Sequence, residues 1–490
     1  MSVRGIALLL GAVAGLVAAT QPLSDTDMWW HLATGRETLA HGVVRTDLFS
    51  WTVRGAPVST DQWLGQIVMY ASYVLADWRG IAMLRVLLVV ALITLVALNA
   101  SRGATRPLAI VLATIPALLL TRAVWVDRPE LFGLVFFAAL LLLLRVWREG
   151  DGSRRPWALV AVVLVIGLWA NIHGSFALGV VITVLVCLEG ARRDETRRRE
   201  YVACALAAIF ITLATPAGIA AWTAPGSHFL SPPRDIQEWN VVDVRTPLGV
   251  AYVITLGLFI AALFLGPRLA LRELVVLVPV AFLSMTAARQ APLLAIAAAP
   301  LFASRAQSLL ARATETRATT AQRAASEPPV GTRGTPSLKR DGDPPRAGAL
   351  GHARLALRFA GGVLVALAAV LMLVALLAVP TAPDMRAYPT AALTSIPTGD
   401  GTLARYEWGG WLIWSGVPVF VDGRLTPYSG GVLDDYRRII AAAPGWQDTI
   451  ARRGIRTLLV VPTDPVAARA IELGWPVRTR SSDFIVFAVP

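Results

Sequence analysis

Residues 22–35, PLSDTDMWWHLATG, combine the side chains that proton chemistry beside a membrane would need. Two carboxylates, two tryptophans and an imidazole fall within seven residues, namely Asp25, Asp27, Trp29, Trp30 and His31. A carboxylate can act as a general base, and tryptophan is typical of the boundary between membrane and water. Because the stretch directly follows the first apolar segment, its pattern favours chemistry on a lipid headgroup.

Each of these residues also has a purely structural interpretation. A serine or aspartate before a helix usually caps it, so Ser24 and Asp27 predict a short amphipathic surface helix that begins near Asp27. Trp29 and Trp30 could be ordinary interface anchors. Carboxylates two residues apart can also share a divalent cation, which leaves a metal at Asp25 and Asp27 open.

The composition is that of a polytopic membrane protein. Hydrophobic residues make up 56% of the 490 residues and charged residues only 16%, a balance outside the range of soluble globular chains. The net charge of +13 comes almost wholly from arginine, since Lys339 is the only lysine. The arginines cluster in short loops between apolar segments, so nucleic acid is not predicted as a partner. Cys187 and Cys204 lie in or beside apolar segments and predict no disulfide framework.

Eleven apolar stretches have about the length of a transmembrane helix, roughly 17 to 25 residues with shorter ones accepted when neighbours pack them. They lie near 5–21, 80–100, 107–123, 131–147, 157–172, 174–190, 201–221, 248–266, 272–288, 291–304 and 359–379. The first could instead be a cleaved signal peptide, because Arg4 precedes a short apolar run that ends in small residues. We favour a retained helix.

The basic residues predict the orientation of these spans. With the N-terminus in the cytoplasm, every second loop is basic, through Arg102, Arg106, Arg145, Arg148, Arg154, Arg155, Arg192, Arg193, Arg197, Arg198, Arg199, Arg268 and Arg272. Cytoplasmic loops of membrane proteins carry such an excess of arginine. The opposite loops, including a long first loop over 22–79, are therefore predicted on the outer face.

After the spans the chain changes character. Residues 1–304 are predicted to form the transmembrane module, 305–357 a basic, flexible cytoplasmic linker, and 358–380 the last span. Residues 381–490 are predicted to form a small extracytoplasmic α/β domain. Strand patterns cover 402–405, 418–422, 456–461, 477–480 and 483–488, and helical patterns cover 431–442, 446–453 and 464–474. No glycine-rich phosphate loop precedes these helices, so nucleotide binding is weakly supported.

Polar side chains recur in the predicted external loops, where hydrocarbon makes them costly. The candidate substrate-binding residues, besides Trp29, Trp30 and His31, are Asp61, Arg122, Arg128, Glu130, Asn171, His173, Glu238, Trp239 and Arg289. Loop 222–247 adds His228, Arg234 and Asp235. Arginine suits bidentate contact with phosphate, although Arg128 could equally pair with Asp127 or Glu130. The shared polarity of five turns predicts a site on the outer face.

Two motifs of the C-terminal domain have open interpretations. Residues 406–411, YEWGGW, and the triplet Asp422-Gly423-Arg424 could stack on and hydrogen-bond a sugar. Alternatively, the glycines turn the chain, the tryptophans pack on the membrane domain, and Asp422 pairs with Arg424. We favour this structural alternative.

Eight segments carry a family resemblance: DTDMWWHLATG, DQWLGQ, RPELFG, NIHGSF, QEWN, ARQAPL, RYEWGGWLIW and VFVDGR. With the long first external loop and the C-terminal domain, the chain resembles the GT-C superfamily of integral membrane glycosyltransferases. It is similar to a bacterial branch related to the protein O-mannosyltransferases, over most of its length except the linker. It departs from those enzymes in having a C-terminal α/β domain instead of an inserted β-trefoil.

The resemblance implies a polyprenyl-phosphate-sugar-dependent glycosyltransferase of the bacterial inner membrane. Such an enzyme would move a sugar to a glycan, lipid or protein acceptor on the outer face. A first-loop aspartate would be the general base, with Asp25 preferred because Asp27 is expected to be the better helix cap. Arg128 and Arg289 would stabilise the departing phosphate. The expected reaction needs no metal, although a cation at Asp25 and Asp27 stays open.

Two other functions are compatible with the sequence. A transporter or flippase of lipid-linked saccharides would be expected to carry polar residues at mid-membrane depth, whereas here they lie at the external ends of spans. A non-catalytic envelope scaffold would use the external domain to bind a partner.

Overall fold

The computed structural model describes residues 2–150, 155–223, 225–226, 237–326, 347–399, 401–424, 427–428 and 430–490. His228, Arg234 and Asp235 of the predicted outer loop lie outside the described residues. Residues 327–346, the middle of the predicted linker, lie outside them as well.

The first three quarters of the described chain form a bundle of helices. These are α1 (Val3–Ala19), α2 (Met28–His41), α3 (Trp63–Ala100), α4 (Pro107–Thr121), α5 (Glu130–Glu149), α6 (Arg155–Ile172), α7 (Phe176–Arg193), α8 (Arg198–Phe210), α9 (Pro247–Phe264), α10 (Leu271–Ser284), α11 (Ala291–Ser326) and α12 (Ala347–Leu377). Each of the eleven apolar stretches overlaps one of these helices, and α2 is the predicted helix of the first loop. The stretch 201–221 is only half helical, because α8 ends at Phe210 and short 3-10 turns follow.

Seven helices of the described residues are long and apolar enough to cross a membrane. Helix α1 is equally apolar in character but shorter, at 17 residues. The set supports the multi-pass membrane protein predicted from the composition. The number of spans and their orientation stay predictions.

A kink at Ala76 and Asp77 divides α3 into two helical segments. Asp77 has a φ of 53°, which breaks the helical hydrogen bonding between the segment before it and the apolar segment after it. The chain folds so tightly here that a Cβ on Gly80 would lie 1.8 Å from the Ser72 carbonyl oxygen. The length before the kink lies within the predicted first loop, 22–79, and the length after it is the predicted span 80–100.

Helices extend into both described ends of the predicted linker. Helix α11 continues to Ser326, well beyond the predicted end at residue 304, and α12 begins at Ala347 instead of near 359. Residues 305–326 include seven alanines and four arginines, which favour helix, and hold no proline.

The C-terminal domain is a four-stranded mixed sheet with helices beside it. Its strands are β1 (Thr402–Ala404), β2 (Thr457–Val460), β3 (Val477–Arg480) and β4 (Ile485–Ala488), in the order β1-β2-β4-β3. Strand β1 pairs parallel to β2, and the other two pairs are antiparallel. Its helices are α13 (Tyr406–Trp414), α14 (Val432–Ile440), α15 (Trp446–Arg453) and α16 (Pro465–Glu472). A parallel pair requires a long crossover, which α13 to α15 provide.

Two local predictions for this domain are wrong. The aromatic residues 406–411 belong to helix α13 and do not form a turn. The predicted strand at 418–422 is no strand of the sheet, because its partner is the first loop: Val419 donates its amide to the Phe49 carbonyl and accepts from the Trp51 amide. Only an isolated bridge between Ser50 and Val419 results.

The first loop and the C-terminal domain are packed together by polar contacts between buried groups. Arg424 Nη1 lies 2.6 Å from Asp47 Oδ1, and its other nitrogens hold Asp422, so two fully buried carboxylates share one guanidinium. Thr52 Oγ1 donates to the Phe420 carbonyl at 2.7 Å. The C-terminal domain therefore packs directly against the first loop. Asp422 pairs with Arg424, as the structural alternative for this triplet predicted.

Candidate active site

Four carboxylates and two arginines meet at one end of the helical bundle. This carboxylate cluster consists of Asp25, Asp27, Arg128, Glu130, Glu238 and Arg289. The residues come from the first loop, the turn before α5, the segment before α9 and the turn before α11. Segments more than 250 residues apart in the sequence thus build one charged site, and all six residues were predicted from the sequence.

Arg128 joins the two aspartates of the first loop. Its Nε lies 2.7 Å from Asp25 Oδ2, and its Nη1 lies 3.2 Å from Asp27 Oδ2. Burial alone would lower the pKa of Arg128, but the carboxylates of Asp25, Asp27 and Glu238 raise it above its ordinary value. The guanidinium is therefore a permanent positive charge beside both candidate bases.

Arg289 makes the second half of the cluster. Its Nη2 lies 3.0 Å from Glu130 Oε1, its Nη1 lies 3.1 Å from Glu238 Oε1, and its guanidinium stacks 4.5 Å from the Trp239 ring centroid. Glu238 Oε1 is also 3.7 Å from Arg128 Nη1, so it links the two arginines. Burial raises the pKa of Glu238, and the arginines only partly oppose this.

Asp25 caps helix α2, which contradicts the prediction that Asp27 is the better cap. Asp25 Oδ1 accepts hydrogen bonds from the amides of Asp27 at 2.8 Å and Met28 at 3.3 Å. Asp27 occupies the position just before the helix, but its side chain makes no capping bond. With its other oxygen held by Arg128, Asp25 has no oxygen without a partner.

Asp27 is the more available of the two carboxylates. Its side chain is 19% exposed, against 3% for Asp25. Burial raises the pKa of Asp27 to about 6, and although Arg128 opposes the shift, the neighbouring charge of Asp25 adds to it. At neutral pH the group is mostly ionised and yet more basic than an ordinary aspartate, which is the state a general base requires.

The C-terminal domain closes against Asp27, a contact that no local sequence pattern indicates. A Cβ on Gly423 would lie 2.3 Å from Asp27 Oδ1, and one on Gly410 would lie 2.6 Å from the Thr26 carbonyl oxygen. Neither glycine is in the left-handed region, so each is required for close approach and not for backbone conformation. Glycine at position 423 leaves the space that the Asp27 carboxylate occupies.

Neither Asp127 nor Glu130 forms an ion pair with Arg128, although the sequence had left either pairing open. Asp127 instead lies 2.7 Å from Arg85 Nη1 on the span of α3, and both side chains are buried. Arg85 also donates to the carbonyls of Gln21 and Pro22, at 2.6 and 3.1 Å. Burial raises the pKa of Asp127 to about 7, against the opposing charge of Arg85. This pair fixes the chain just before Asp25, and an arginine inside an apolar stretch was the signal for it.

His31 and Trp30 lie beside the cluster. The Trp30 and His31 ring centroids are 3.6 Å apart, and His31 Nδ1 lies 3.3 Å from Gln66 Nε2. Burial, with the charge of Arg128, lowers the pKa of His31, so its imidazole is neutral at pH 7. Trp30 Nε1 is buried, and its hydrogen bonding with Asp27 opposes the rise in the pKa of that carboxyl.

Of the five other predicted binding residues, three are held by contacts away from the cluster. Trp29 is buried between the first loop and the C-terminal region, where its Nε1 donates to the Tyr388 hydroxyl at 2.8 Å. Asp61 accepts from Ser59 at 2.5 Å, and Asn171 accepts from Trp63 at 2.9 Å. The remaining two, Arg122 and His173, differ: Arg122 is exposed and makes no ion pair with described residues, whereas His173 Nδ1 is 2.7 Å from Ser175 Oγ and its ring is an electrostatic neighbour of His31. The prediction that Trp29 faces a substrate is thus opposed by its burial.

The Asp25–Asp27 pair is poorly suited to a divalent cation in this arrangement. Asp25 uses both oxygens in hydrogen bonds, and Arg128 occupies the space between the two carboxylates. No group of three or more His, Cys, Asp or Glu side chains among the described residues is arranged to hold a metal. The arrangement can instead accept a proton at Asp27 and present positive charge to an anion through Arg128 and Arg289.

Comparisons with known proteins bear on the fold. No family model matches the sequence, and no curated protein matches it. Among solved structures, the chain is similar to an oligosaccharyltransferase of Archaeoglobus fulgidus, with a TM-score of 0.59 at 10% identity over 92% of this chain and 69% of that one. It is also similar to ArnT from Cupriavidus metallidurans, with a TM-score of 0.51 at 15% identity over 97% of this chain and 96% of that one. At these identities the likeness shows that the chain shares its fold with these two proteins.

Proposed function

We propose that the protein is a membrane glycosyltransferase that moves a sugar from a polyprenyl-phosphate-linked donor to an acceptor hydroxyl on the outer face of the membrane. One observation carries this proposal: an ionised, partly exposed Asp27 with a pKa of about 6 lies 3.2 Å from the Arg128 guanidinium, in a fold shared with an oligosaccharyltransferase and ArnT. A base and a phosphate-binding cation are the two groups that such a transfer needs.

Asp27, and not Asp25, is the proposed base. The acceptor oxygen forms a bond to the anomeric carbon while the bond from that carbon to the phosphate oxygen breaks. The acceptor proton passes to Asp27, and the bonding electrons leave with the polyprenyl phosphate. Asp25 acts as a positioning residue, because it holds both the start of α2 and Arg128.

Arg128 and Arg289 are the proposed partners of the departing phosphate. Each arginine is already paired with carboxylates, so phosphate would compete with Asp27 and Glu238 for guanidinium nitrogens. That competition is useful at Asp27, because contact between phosphate and Arg128 frees the carboxylate to accept a proton.

The test is turnover by the full chain reconstituted in liposomes. Labelled polyprenyl-phosphate sugars are offered as a panel together with envelope acceptors, and release of polyprenyl phosphate is measured. We expect Asp27→Asn to lower kcat/KM by about 10² to 10⁴-fold, as for loss of a general base. The exposed Asp483→Asn in the C-terminal domain is the matched control and should keep wild-type turnover.

The pH profile separates the roles of the two aspartates. Asp25→Asn should lower turnover but keep an acidic limb in kcat/KM, because Asp27 remains the titrating base. Asp27→Asn should remove that limb. Unchanged turnover in Asp27→Asn would refute the proposed base. Donor binding or translocation without any sugar release in the wild type would refute the enzyme and favour a scaffold or a flippase.

A further inference from the structure

A second charged site lies at the opposite end of the helical bundle. Helix α5 begins at Glu130 in the carboxylate cluster and ends at Glu149 on the wall of a cavity of about 690 Å³. Nineteen residues of helix separate the two ends by about 28 Å. The volume lies within the range of small-ligand sites, about 300 to 1,000 Å³. The cavity is therefore large enough for a headgroup and too distant to belong to the proposed active site.

Arginine dominates the wall of this cavity, which we call the arginine cavity. Nine arginines line it: Arg102, Arg145, Arg148, Arg155, Arg193, Arg197, Arg268, Arg272 and Arg305. Three acidic residues, Glu149, Asp194 and Glu273, are the carboxylates among the described lining residues. Eight of these arginines were predicted to mark the cytoplasmic side. Orientation signals explain a basic side, but they do not require the arginines to converge on one cavity.

Several of the arginines are fixed in the wall by their own partners. Arg148 pairs with Glu189, and Arg197 pairs with Glu200 at 2.9 Å. Arg305 is buried and donates to backbone carbonyls of the α9 end, including Ala262 at 2.9 Å. These arginines shape the cavity and supply little free charge.

Four arginines make no ion pair or hydrogen bond with described residues through their side chains: Arg102, Arg145, Arg268 and Arg272. The electrostatic neighbours of Arg145 are the carboxylates of Glu149 and Glu273 and the arginines Arg102 and Arg272. The carboxylate of Glu273 is engaged as the cap of α10, where it accepts from the Ala270 amide at 2.9 Å. The lining nevertheless holds nine arginines against three carboxylates, and an anion in the cavity would be attracted by this excess of positive charge.

The inner part of the cavity is apolar. Its lining there includes Leu141, Leu144, Val186, Leu277, Ile296 and Leu301. A basic pocket between transmembrane helices with an apolar interior suits the phosphate headgroup of a membrane lipid and the start of its chains. Arginine also offers the forked donors that phosphate oxygens accept.

We propose that the arginine cavity binds a phosphate-bearing anion, either the headgroup of an anionic lipid or a free phosphate compound. Arg145, Arg102 and Arg272 are the main contacts. The site is independent of the proposed active site, so Asp27→Asn should keep wild-type binding here.

The experiment measures binding and thermal unfolding of the full chain in detergent at fixed salt. One arm titrates mixed micelles that contain phosphatidylglycerol or cardiolipin, with phosphatidylcholine as the uncharged reference. The other arm titrates inorganic phosphate and pyrophosphate. Arg145→Gln and Arg272→Gln are the test variants. Arg192→Gln is the matched control, because Arg192 lies on the last turn of α7, is exposed, and does not line the cavity.

We expect saturable binding that falls roughly five- to tenfold in each test variant and is unchanged in Arg192→Gln. A loss in the lipid arm identifies the headgroup as the source, and a loss in the pyrophosphate arm identifies a free phosphate compound. Without ligand, Arg145→Gln should unfold near the wild-type temperature, because Arg145 makes no ion pair or hydrogen bond with described residues and has charged neighbours of both signs, so the variant is expected to fold. Equal affinity in wild type, Arg145→Gln and Arg192→Gln would overturn the proposal and leave only general surface attraction.

Discussion

Replacing Gly423 by alanine would place a methyl group against the proposed base. The new Cβ would lie 2.3 Å from Asp27 Oδ1, whereas a carbon and an oxygen that are not bonded approach to about 3.3 Å. The obstructing atom is the end of a side chain, so the carboxylate can rotate away while the backbone stays. Asp27 must then move by about 1 Å, which also disturbs its 3.2 Å contact with Arg128.

The expected loss is one of activity more than of stability. A displacement of about 1 Å at a reacting group costs on the order of 10²-fold in rate, or about 2.7 kcal/mol in transition-state free energy. Forcing one side chain from its rotamer costs about 0.5 to 1.5 kcal/mol of folding free energy. Gly423→Ala should therefore lower kcat/KM for polyprenyl phosphate release about 100-fold with a small change in the unfolding temperature.

Two controls show whether the effect passes through Asp27. Gly257→Ala introduces the same methyl group on α9, where no atom lies within 4 Å, and should leave kcat/KM unchanged. In an Asp27→Asn background, Gly423→Ala should cause little further loss, because the two changes act on the same group. The reasoning is refuted if Gly423→Ala keeps turnover within threefold of wild type, or if its full effect persists when Asp27 is already replaced.

Three further predictions follow from the charged contacts. Because Asp27 must be ionised to act as base and its pKa is about 6, kcat/KM should fall tenfold per pH unit below pH 6. A kcat/KM that stays constant from pH 7 to pH 5 would contradict the assignment of Asp27 as base. The same raised pKa means that the folded chain binds this proton more tightly than the unfolded chain, so Asp27 makes a contribution to stability that decreases as the pH rises from about 4 to about 6. Arg85→Met leaves Asp127 buried without its partner and should lower the free energy of unfolding by about 3 to 5 kcal/mol. The double variant Arg85→Met, Asp127→Leu should recover most of that loss. Arg85→Met as stable as the wild type would contradict the pairing. Arg424→Met removes the guanidinium that the buried carboxylates of Asp47 and Asp422 share between the first loop and the C-terminal domain. Limited proteolysis should then release the domain faster than in the control Arg437→Met, which removes an exposed arginine.

The local sequence was sufficient to predict most of the secondary structure. Continuous apolar runs predicted the helices of the bundle, and alternating patterns predicted the four strands of the C-terminal sheet, because these periods are properties of the chain itself. The predictions failed where local patterns compete. Residues 406–411 contain glycines that suggest a turn, yet burial of Trp408 and Trp411 against Ala387 and Tyr388 favours a helix.

The sequence by itself also placed the chemistry in the first loop, since two carboxylates and an imidazole stand together at Asp25 to His31. It could not assign their partners. Arg128 pairs with aspartates 103 and 101 residues before it, while Asp127 beside it pairs with Arg85 on the opposite side of the turn. Spacing along the chain constrains only near neighbours, whereas an ion pair across such distances depends on how the helices pack.

Tertiary structure alone decided which aspartate is free and what surrounds it. Asp25 is consumed by capping α2 and holding Arg128, and the C-terminal domain brings Gly423 against Asp27 from nearly 400 residues away. The arginine cavity has the same origin, because arginines that the sequence predicts only as a basic side become a site when helix ends enclose them. Residue types set which charges the protein carries, and packing sets which of those charges are compensated and which remain to bind a ligand.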